Sequence, residues 1–238
     1  KLAPSAVKSF AQERGIPVIE PARIRTDETA LERIRTAGPD VSVVVAYGQI
    51  IPRAVHFFPR HHSINVHFSL LPRCRGAAPV QWTVLNGDAE SGVTIIELND
   101  RMDEGDILAQ RRVAVAPHET AAALEARLAA LGAELLVSTL SRIGEITPIK
   151  QVDALATLAP KIRKEDGRVF WTEPAETIDR KVLALADRPG VFTFLRGKRI
   201  NIIKGSQSHA FIEGAQPGQV VTVDKSGMVV ACGGGPAY

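Results

Sequence analysis

Cysteine is almost absent. Cys74 and Cys232 are the two thiols in 238 residues; they lie far apart and lack metal-ligand spacing, which excludes a disulfide framework and offers no zinc motif. Long hydrophobic runs are missing too: the longest, such as residues 41–46, fall far short of the ~20 apolar residues a membrane helix needs. No signal-peptide pattern opens the chain. These absences set the expectation of a soluble protein in a reducing compartment, the cytoplasm first, with the mitochondrial matrix or a plastid left open. There is no internal repeat. The only low-complexity tract is Gly233-Gly234-Gly235, and no helix follows it, so it is not a dinucleotide fingerprint. Charge of either sign is scarcely in excess, at a net +3. Residues 1–154 carry 17 Lys+Arg against 18 Asp+Glu, and residues 155–238 carry 12 against 8, so the surplus sits in the C-terminal third. Such a surplus suits a polyanionic partner or a merely solvated surface. What remains is an ordinary globular composition, 45% hydrophobic and 23% charged, long enough for one or two domains.

The pattern along the chain predicts an α/β layer. A helix is expected from Ser5, its N-cap, to Arg14 with Gly15 as stop, and another over residues 27–37 ending at Gly38-Pro39. Residues 41–46 form a β-branched run without polar alternation, the sign of a strand covered on both faces in a parallel sheet. Residues 63–66 give a further strand, and residues 92–98 and 107–115 give two more, flanking a loop around Asp103. Leu124, Leu128, Leu131, Leu135 and Val137 predict one long amphipathic helix over residues 121–143, with its apolar stripe in the core. Residues 147–160 lack a strong period and run into the charged stretch Lys161-Ile162-Arg163-Lys164-Glu165-Asp166, which reads as a linker. A helix over residues 176–186 follows. Short strand signals at 190–194, 199–203, 219–223 and 228–232, punctuated by glycine turns and by Lys225-Ser226-Gly227, then suggest a small β-barrel.

The chemistry concentrates in Asn65-Val66-His67 and Met102-Asp103-Glu104-Gly105-Asp106. Asn65 and His67, two apart on an extended chain, point to one side where a strand ends, the place where open α/β sheets keep their sites. An amide donor, an imidazole and a carboxylate are what acyl transfer to an amine requires: donors for the oxyanion from Asn65 and from a protonated His67, and Asp103 to pair with His67 and assist proton removal. Each residue alone has a plainer reading. An Asn-x-His pair also describes loop hydrogen-bonders, and Asp103 sits with Asp100 and Asp106 in a Gly-containing turn. His61-His62 with His56 nearby suggests no metal site, since adjacent histidines project apart and no cysteine or carboxylate accompanies them. Ser69 lies too close to His67 in sequence for a nucleophile pair, and there is no Gly-x-Ser-x-Gly elbow.

Residues 65–81, from Asn65-Val66-His67-Phe68-Ser69-Leu70-Leu71-Pro72 to Pro79-Val80-Gln81, together with Asn86-Gly87-Asp88, Gly92-Val93-Thr94-Ile95 and the Asp103 loop, closely resemble the 10-formyltetrahydrofolate-dependent formyltransferases. Arg75-Gly76-Ala77-Ala78-Pro79 and Ala159-Pro160-Lys161-Ile162 with Lys164-Glu165-Asp166 are most similar to the branch acting on methionyl initiator tRNA. The resemblance implies Asn65, His67 and Asp103 as catalytic residues. It implies tetrahydrofolate contacts from Ser69, Leu70, Leu71 and Pro72, and from Tyr47, Gly48, Gln49 and Ile50. No metal is implied, and a monomer is expected. It also implies a Rossmann-like catalytic domain over residues 1–148 with a mostly parallel sheet, a linker over 149–166, and a C-terminal barrel resembling an OB-fold over 167–238. Lys161, Arg163, Lys164, Lys198 and Arg199 are the tRNA-binding candidates. Cys74 stands where the family usually has an aromatic residue, and Phe68 replaces a small one.

Lys1-Leu2-Ala3-Pro4-Ser5 matches a point well inside the family pattern, and residues 233–238 stop before its last strands. A sheet without its first strand leaves a buried parallel edge unpaired, so residues left out of the sequence, a basic tRNA-reaching loop among them, are expected. The alternatives keep the site and change the acceptor to an amino sugar nucleotide or to water. A further one is a silent nucleic-acid-binding module using Phe192, Phe194, Arg196, Lys198 and Arg199.

Overall fold

The computed structural model describes residues 3–208, 214–225, 227–235 and 237–238. Lys1 and Leu2 of the opening motif, residues 209–213, Ser226 of the expected Lys-Ser-Gly turn and Pro236 lie outside the described residues. The chain forms two compact units, Lys1–Ile64 and Asn65–Tyr238.

In the first unit, α1 (Ala6–Glu13) begins where predicted, because the Ser5 hydroxyl accepts from the Lys8 N–H at 3.2 Å. Helix α2 (Glu28–Ala37) is capped by Asp27, whose carboxylate accepts from the Ala30 N–H at 2.9 Å, and ends at the left-handed Gly38. Leu31 of this helix joins Ile24 and Val55 in a small core flanked by Ile34 and Ile51. Val55 comes from the short helix α3 (Arg53–His56), which the pattern did not predict. Strand β1 (Ser42–Val45) is present, but it is not covered on both faces: Val43 and Val45 are 40% and 49% exposed. Valine favours a strand on either kind of face.

The chain passes into the second unit inside β2 (Ser63–His67). There β2, β3 (Glu90–Glu97) and β4 (Ile107–Ala114) lie side by side in that order, with β3 and β4 antiparallel. The two-sided burial expected of β1 belongs to β3, where every residue from Ser91 to Ile96 is buried, because α5 (Ala121–Leu140) packs across it and across β4. Gly132 makes the close approach possible: a Cβ there would stand 3.2–3.5 Å from Val66, Phe68 and Val93. Leu124, Leu128 and Leu135 are buried as predicted, but the helix stops at Leu140 and Val137 is 68% exposed. The helical period puts Thr139, four residues after Leu135, on the core face instead. An unpredicted helix, α4 (Pro79–Asn86), starts with proline at its first position and ends at the left-handed Gly87, packing against α5 and α6 (Ala175–Leu185).

Beyond α6 come two antiparallel pairs, β5 (Val191–Leu195) with β6 (Lys198–Ile202), and β7 (Val220–Asp224) with β8 (Gly227–Val230). The β5–β6 turn, Arg196-Gly197, has positive φ at both residues, which matches the twist of a two-residue hairpin. Among the described residues the two pairs form separate two-stranded sheets, and no helix is long and apolar enough to cross a membrane.

Candidate active site

Strand β2 delivers Asn65 and His67 to one side at its C-terminal end, as alternation requires. His67 is buried, at 6% exposed. Its Nε2 donates to the Cys74 carbonyl at 2.9 Å, which fixes the proton on that nitrogen. Its Nδ1 faces the Asp103 carboxylate with 3.7 Å to Oδ1. The ring can therefore donate on its Asp103 side only in the doubly protonated form. Asn65 is half-buried, and among the described residues its side-chain amide has no hydrogen-bond partner. It is an amide donor on the same side of β2 as the His67 ring.

Asp103 is held by two hydrogen bonds in an uncommon backbone conformation. Its backbone is left-handed, at φ 55°, a conformation aspartate tolerates better than most residues. Its Oδ2 accepts from the Gly76 N–H at 2.8 Å, and its carbonyl accepts from Gln151 Nε2, also at 2.8 Å. Gly105 must be glycine on grounds of space: a Cβ would lie 1.6 Å from the Glu97 carbonyl oxygen. The turn that contains Asp103 therefore also sets the direction of its carboxylate, toward the His67 ring and the Gly76 N–H.

The Ser69–Pro72 loop is pinned from beneath by a cross-strand pair. Thr94 and Gln110 face each other in the β3–β4 register. The buried Thr94 hydroxyl donates to Ser69 O at 2.6 Å and accepts from Leu71 N at 3.2 Å and Gln110 Nε2 at 2.8 Å. Gln110 Nε2 also donates to Leu71 O at 3.0 Å. Ser69 turns its hydroxyl to Arg73 O at 2.7 Å rather than toward His67. Leu71 and Ser69 point into the interior, while Leu70 and Pro72 are half-exposed. Gln110 was not singled out from the sequence, and Thr94 entered only within the motif Gly92-Val93-Thr94-Ile95, without a role; the available signal was a threonine inside the apolar run Val93-Thr94-Ile95-Ile96.

Cys74 is buried, and burial pushes its thiol up, away from nucleophilic character. Its N–H donates to Thr157 Oγ1 at 2.9 Å, so the stretch expected to be a plain linker reaches this loop. Arg75 N donates to Thr157 O at 2.8 Å, and Ala159 N donates back to Arg75 O at 2.7 Å. Ile149 likewise exchanges backbone hydrogen bonds with Ile107.

In the first unit, Tyr47 and Ile50 are exposed, but the Gln49 amide is engaged locally: Oε1 accepts from Ile24 N at 2.9 Å and Nε2 donates to Ala22 O at 3.4 Å. Among the basic candidates, Lys161, Arg163, Lys164, Lys198 and Arg199 are all exposed. Arg199 lies 4.0 Å over the Phe192 ring, and Arg168, not anticipated, sits over Phe170 and Phe194 at 4.5 and 5.1 Å. Among the described residues no group of three or more His, Cys, Asp or Glu is placed to hold a metal ion.

A family model described as formyl transferase matches residues 2–140, and one described as formyl transferase, C-terminal domain, matches residues 161–237. The chain is 42% identical over 237 residues to the methionyl-tRNA formyltransferase of Geobacter metallireducens, which covers 99% of this chain and 75% of that one. It is 43% identical over 231 residues to the methionyl-tRNA formyltransferase of Myxococcus xanthus, covering 96% and 73% respectively. The fold is also that of the N-formyltransferase from Helicobacter canadensis solved with folinic acid and dTDP-3-aminofucose, with a TM-score of 0.72 over 96% of this chain and 80% of that one, at 19% identity.

Proposed function

The chain belongs to the formyl transferase family and, within it, to the methionyl-tRNA formyltransferases; from that premise we propose that it moves the formyl group of 10-formyltetrahydrofolate to the α-amino group of methionine on initiator tRNA, the step that prepares this tRNA for translation initiation. The observation that carries the reading is the unpartnered amide of Asn65 on the same side of β2 as His67, whose ring faces Asp103. The neutral amine attacks the formyl carbon, and the carbonyl oxygen gains the negative charge. Asn65 donates to that oxyanion, and the positive charge of a protonated His67, whose Nδ1–H lies on the Asp103 side, stabilises it electrostatically. Asp103 balances the imidazolium and takes up the amine proton directly or through water, and the C–N bond to the folate nitrogen then breaks as that nitrogen is protonated. An α-amino group titrates near pH 7.7–8.0, so positioning and charge stabilisation matter more than a strong base.

The rest of the assignment follows the same reading. From the pinned loop the half-exposed Leu70 and Pro72 are the folate contacts, with the buried Ser69 and Leu71 holding them in place; Tyr47, Gly48, Gln49 and Ile50 are the folate contacts expected from the first unit. Residues 1–148 form the catalytic domain, 149–166 the connection, and 167–238 an OB-like domain for the tRNA, consistent with matches ending at residue 140 and resuming at 161. Lys161, Arg163, Lys164, Lys198 and Arg199 contact tRNA phosphates, and the enzyme acts as a cytoplasmic monomer.

The test is label transfer from formyl-labelled 10-formyltetrahydrofolate with methionyl initiator tRNA and an amino sugar nucleotide as competing acceptors. Label on the tRNA is expected, and Asn65→Ala should lower that rate by about 10²- to 10³-fold. Label on the sugar, or free formate alone, would overturn the acceptor assignment.

A further inference from the structure

Gln151 sits in the segment that joins the two matched regions, and its amide is fully used at a single place. Nε2 donates to the carbonyl oxygens of Asp103 and Gly105, each at 2.8 Å. Oε1 accepts from Arg75 Nε at 3.0 Å and Nη2 at 2.8 Å. Arg75 is itself buried, at 7% exposed, and its Nη2 also donates to Asp153 at 2.8 Å. Across the loop, the residue after Arg75 supplies the N–H that holds Asp103 Oδ2. Arg75 and Gly76 therefore both anchor the Asp103 loop, Arg75 through Gln151 and through its Nη1, 3.8 Å from Glu104 Oε1, and Gly76 directly.

The chemistry at residue 151 is narrow. Two carbonyl oxygens on one side demand donors, and a guanidinium on the other demands an acceptor. A carboxylate would satisfy Arg75 but could not donate to the carbonyls; an ammonium would donate but repel Arg75. Only a carboxamide of this length meets both. The Asp103 backbone is left-handed, so neither a helix nor a strand ladder fixes its carbonyl, and the side-chain donor takes over that role.

We propose that Gln151, backed by Arg75, is a positioning residue for the formyl transfer: by holding the carbonyls of Asp103 and Gly105 it keeps the Asp103 carboxylate between the His67 ring and the Gly76 N–H. The inference rests on the reading of Asn65, His67 and Asp103 as the reacting group.

The experiment compares Gln151→Ala and Gln151→Glu with the wild-type protein in the full chain, measuring kcat and KM for 10-formyltetrahydrofolate and for methionyl initiator tRNA, with thermal unfolding followed by circular dichroism. Misplacing a catalytic group by about 1 Å costs up to about 10²-fold, so both variants should lose about 10- to 100-fold in kcat while each KM stays within about twofold. Gln151→Glu discriminates, because it keeps an acceptor for Arg75 while replacing the donors with an oxygen that repels the Asp103 and Gly105 carbonyls. Wild-type kcat in Gln151→Glu would overturn the proposal, as would a loss confined to KM for the tRNA. Failure of Gln151→Glu to fold would also overturn it, by making the residue a structural anchor. A wild-type protein that does not formylate the tRNA would instead refute the proposed function, whereas an active wild type with unaffected variants would refute this inference alone.

Discussion

Replacing Thr94 by valine removes one hydroxyl and changes almost no volume, yet the structure makes that hydroxyl the support of the whole Ser69–Pro72 loop. The side chain is completely buried. Its loss leaves Ser69 O without the 2.6 Å donor and Leu71 N without the 3.2 Å acceptor. Gln110 Nε2 keeps its bond to Leu71 O and is only partly orphaned. Two buried polar groups without partners cost about 1–3 kcal/mol each, so the expected destabilisation is at least about 2 kcal/mol, a large share of the roughly 5–15 kcal/mol available to a folded protein. In a chain of this size that corresponds to a fall in Tm of at least about 4–8 °C. Urea unfolding checks the free energy, and steady-state kinetics check the site. Because the loop lies on the folate side of the proposed reaction, KM for 10-formyltetrahydrofolate should rise more than KM for tRNA. Thr94→Ser, which restores the hydroxyl, should recover most of both. A Thr94→Val protein within about 0.5 kcal/mol of wild type, the range of an inconsequential surface change, and with an unaltered KM, would refute the argument that this hydroxyl holds the loop.

Three further expectations can be checked independently. Gly105→Ala places a methyl group 1.6 Å from the Glu97 carbonyl oxygen, so the Asp103 loop must move; the free energy of unfolding should drop by about 1–3 kcal/mol and kcat should fall with it, and wild-type values for both would contradict the packing. Lys198 is exposed on β6, and Lys198→Glu should raise KM for tRNA more than it lowers kcat and reduce the slope of log affinity against log salt by about 1 or more; an unchanged slope would remove that strand from the tRNA face. Burial, only partly offset by His118 at 3.5 Å, holds the Asp179 carboxyl above its ordinary 3.8. Between that ordinary value and the raised one the native state binds more protons than the unfolded chain, so stability should fall as pH rises through this window. Asp179→Asn should remove that fall in a series of urea midpoints taken from acid to neutral pH, and an identical pH slope in the variant would contradict the assignment.

The sequence by itself determined what short-range chemistry encodes. Ser5 and Asp27 capped their helices because a cap is a contact between residues three apart. Gly38 ended α2 because only local φ matters there, and the leucine stripe of α5 fixed its buried face through the helical period. The Asn65-x-His67 spacing on a strand end, together with the Asp103 loop, also showed in the chain itself, since alternation puts the first two on one side whatever surrounds them. Only the tertiary structure decided which strand is buried on both faces, because that depends on where α5 lies and not on the valines of β1. It alone gave the His67 proton its place, through a carbonyl seven residues away that no periodicity marks. It alone brought Gln151 across 48 residues of chain to the Asp103 carbonyl and Gln110 across 16 to Thr94. The reason is the same in each case: caps and periods are satisfied within a few residues, whereas a buried donor or carbonyl takes whatever partner the packed chain delivers, and that delivery is a property of the fold.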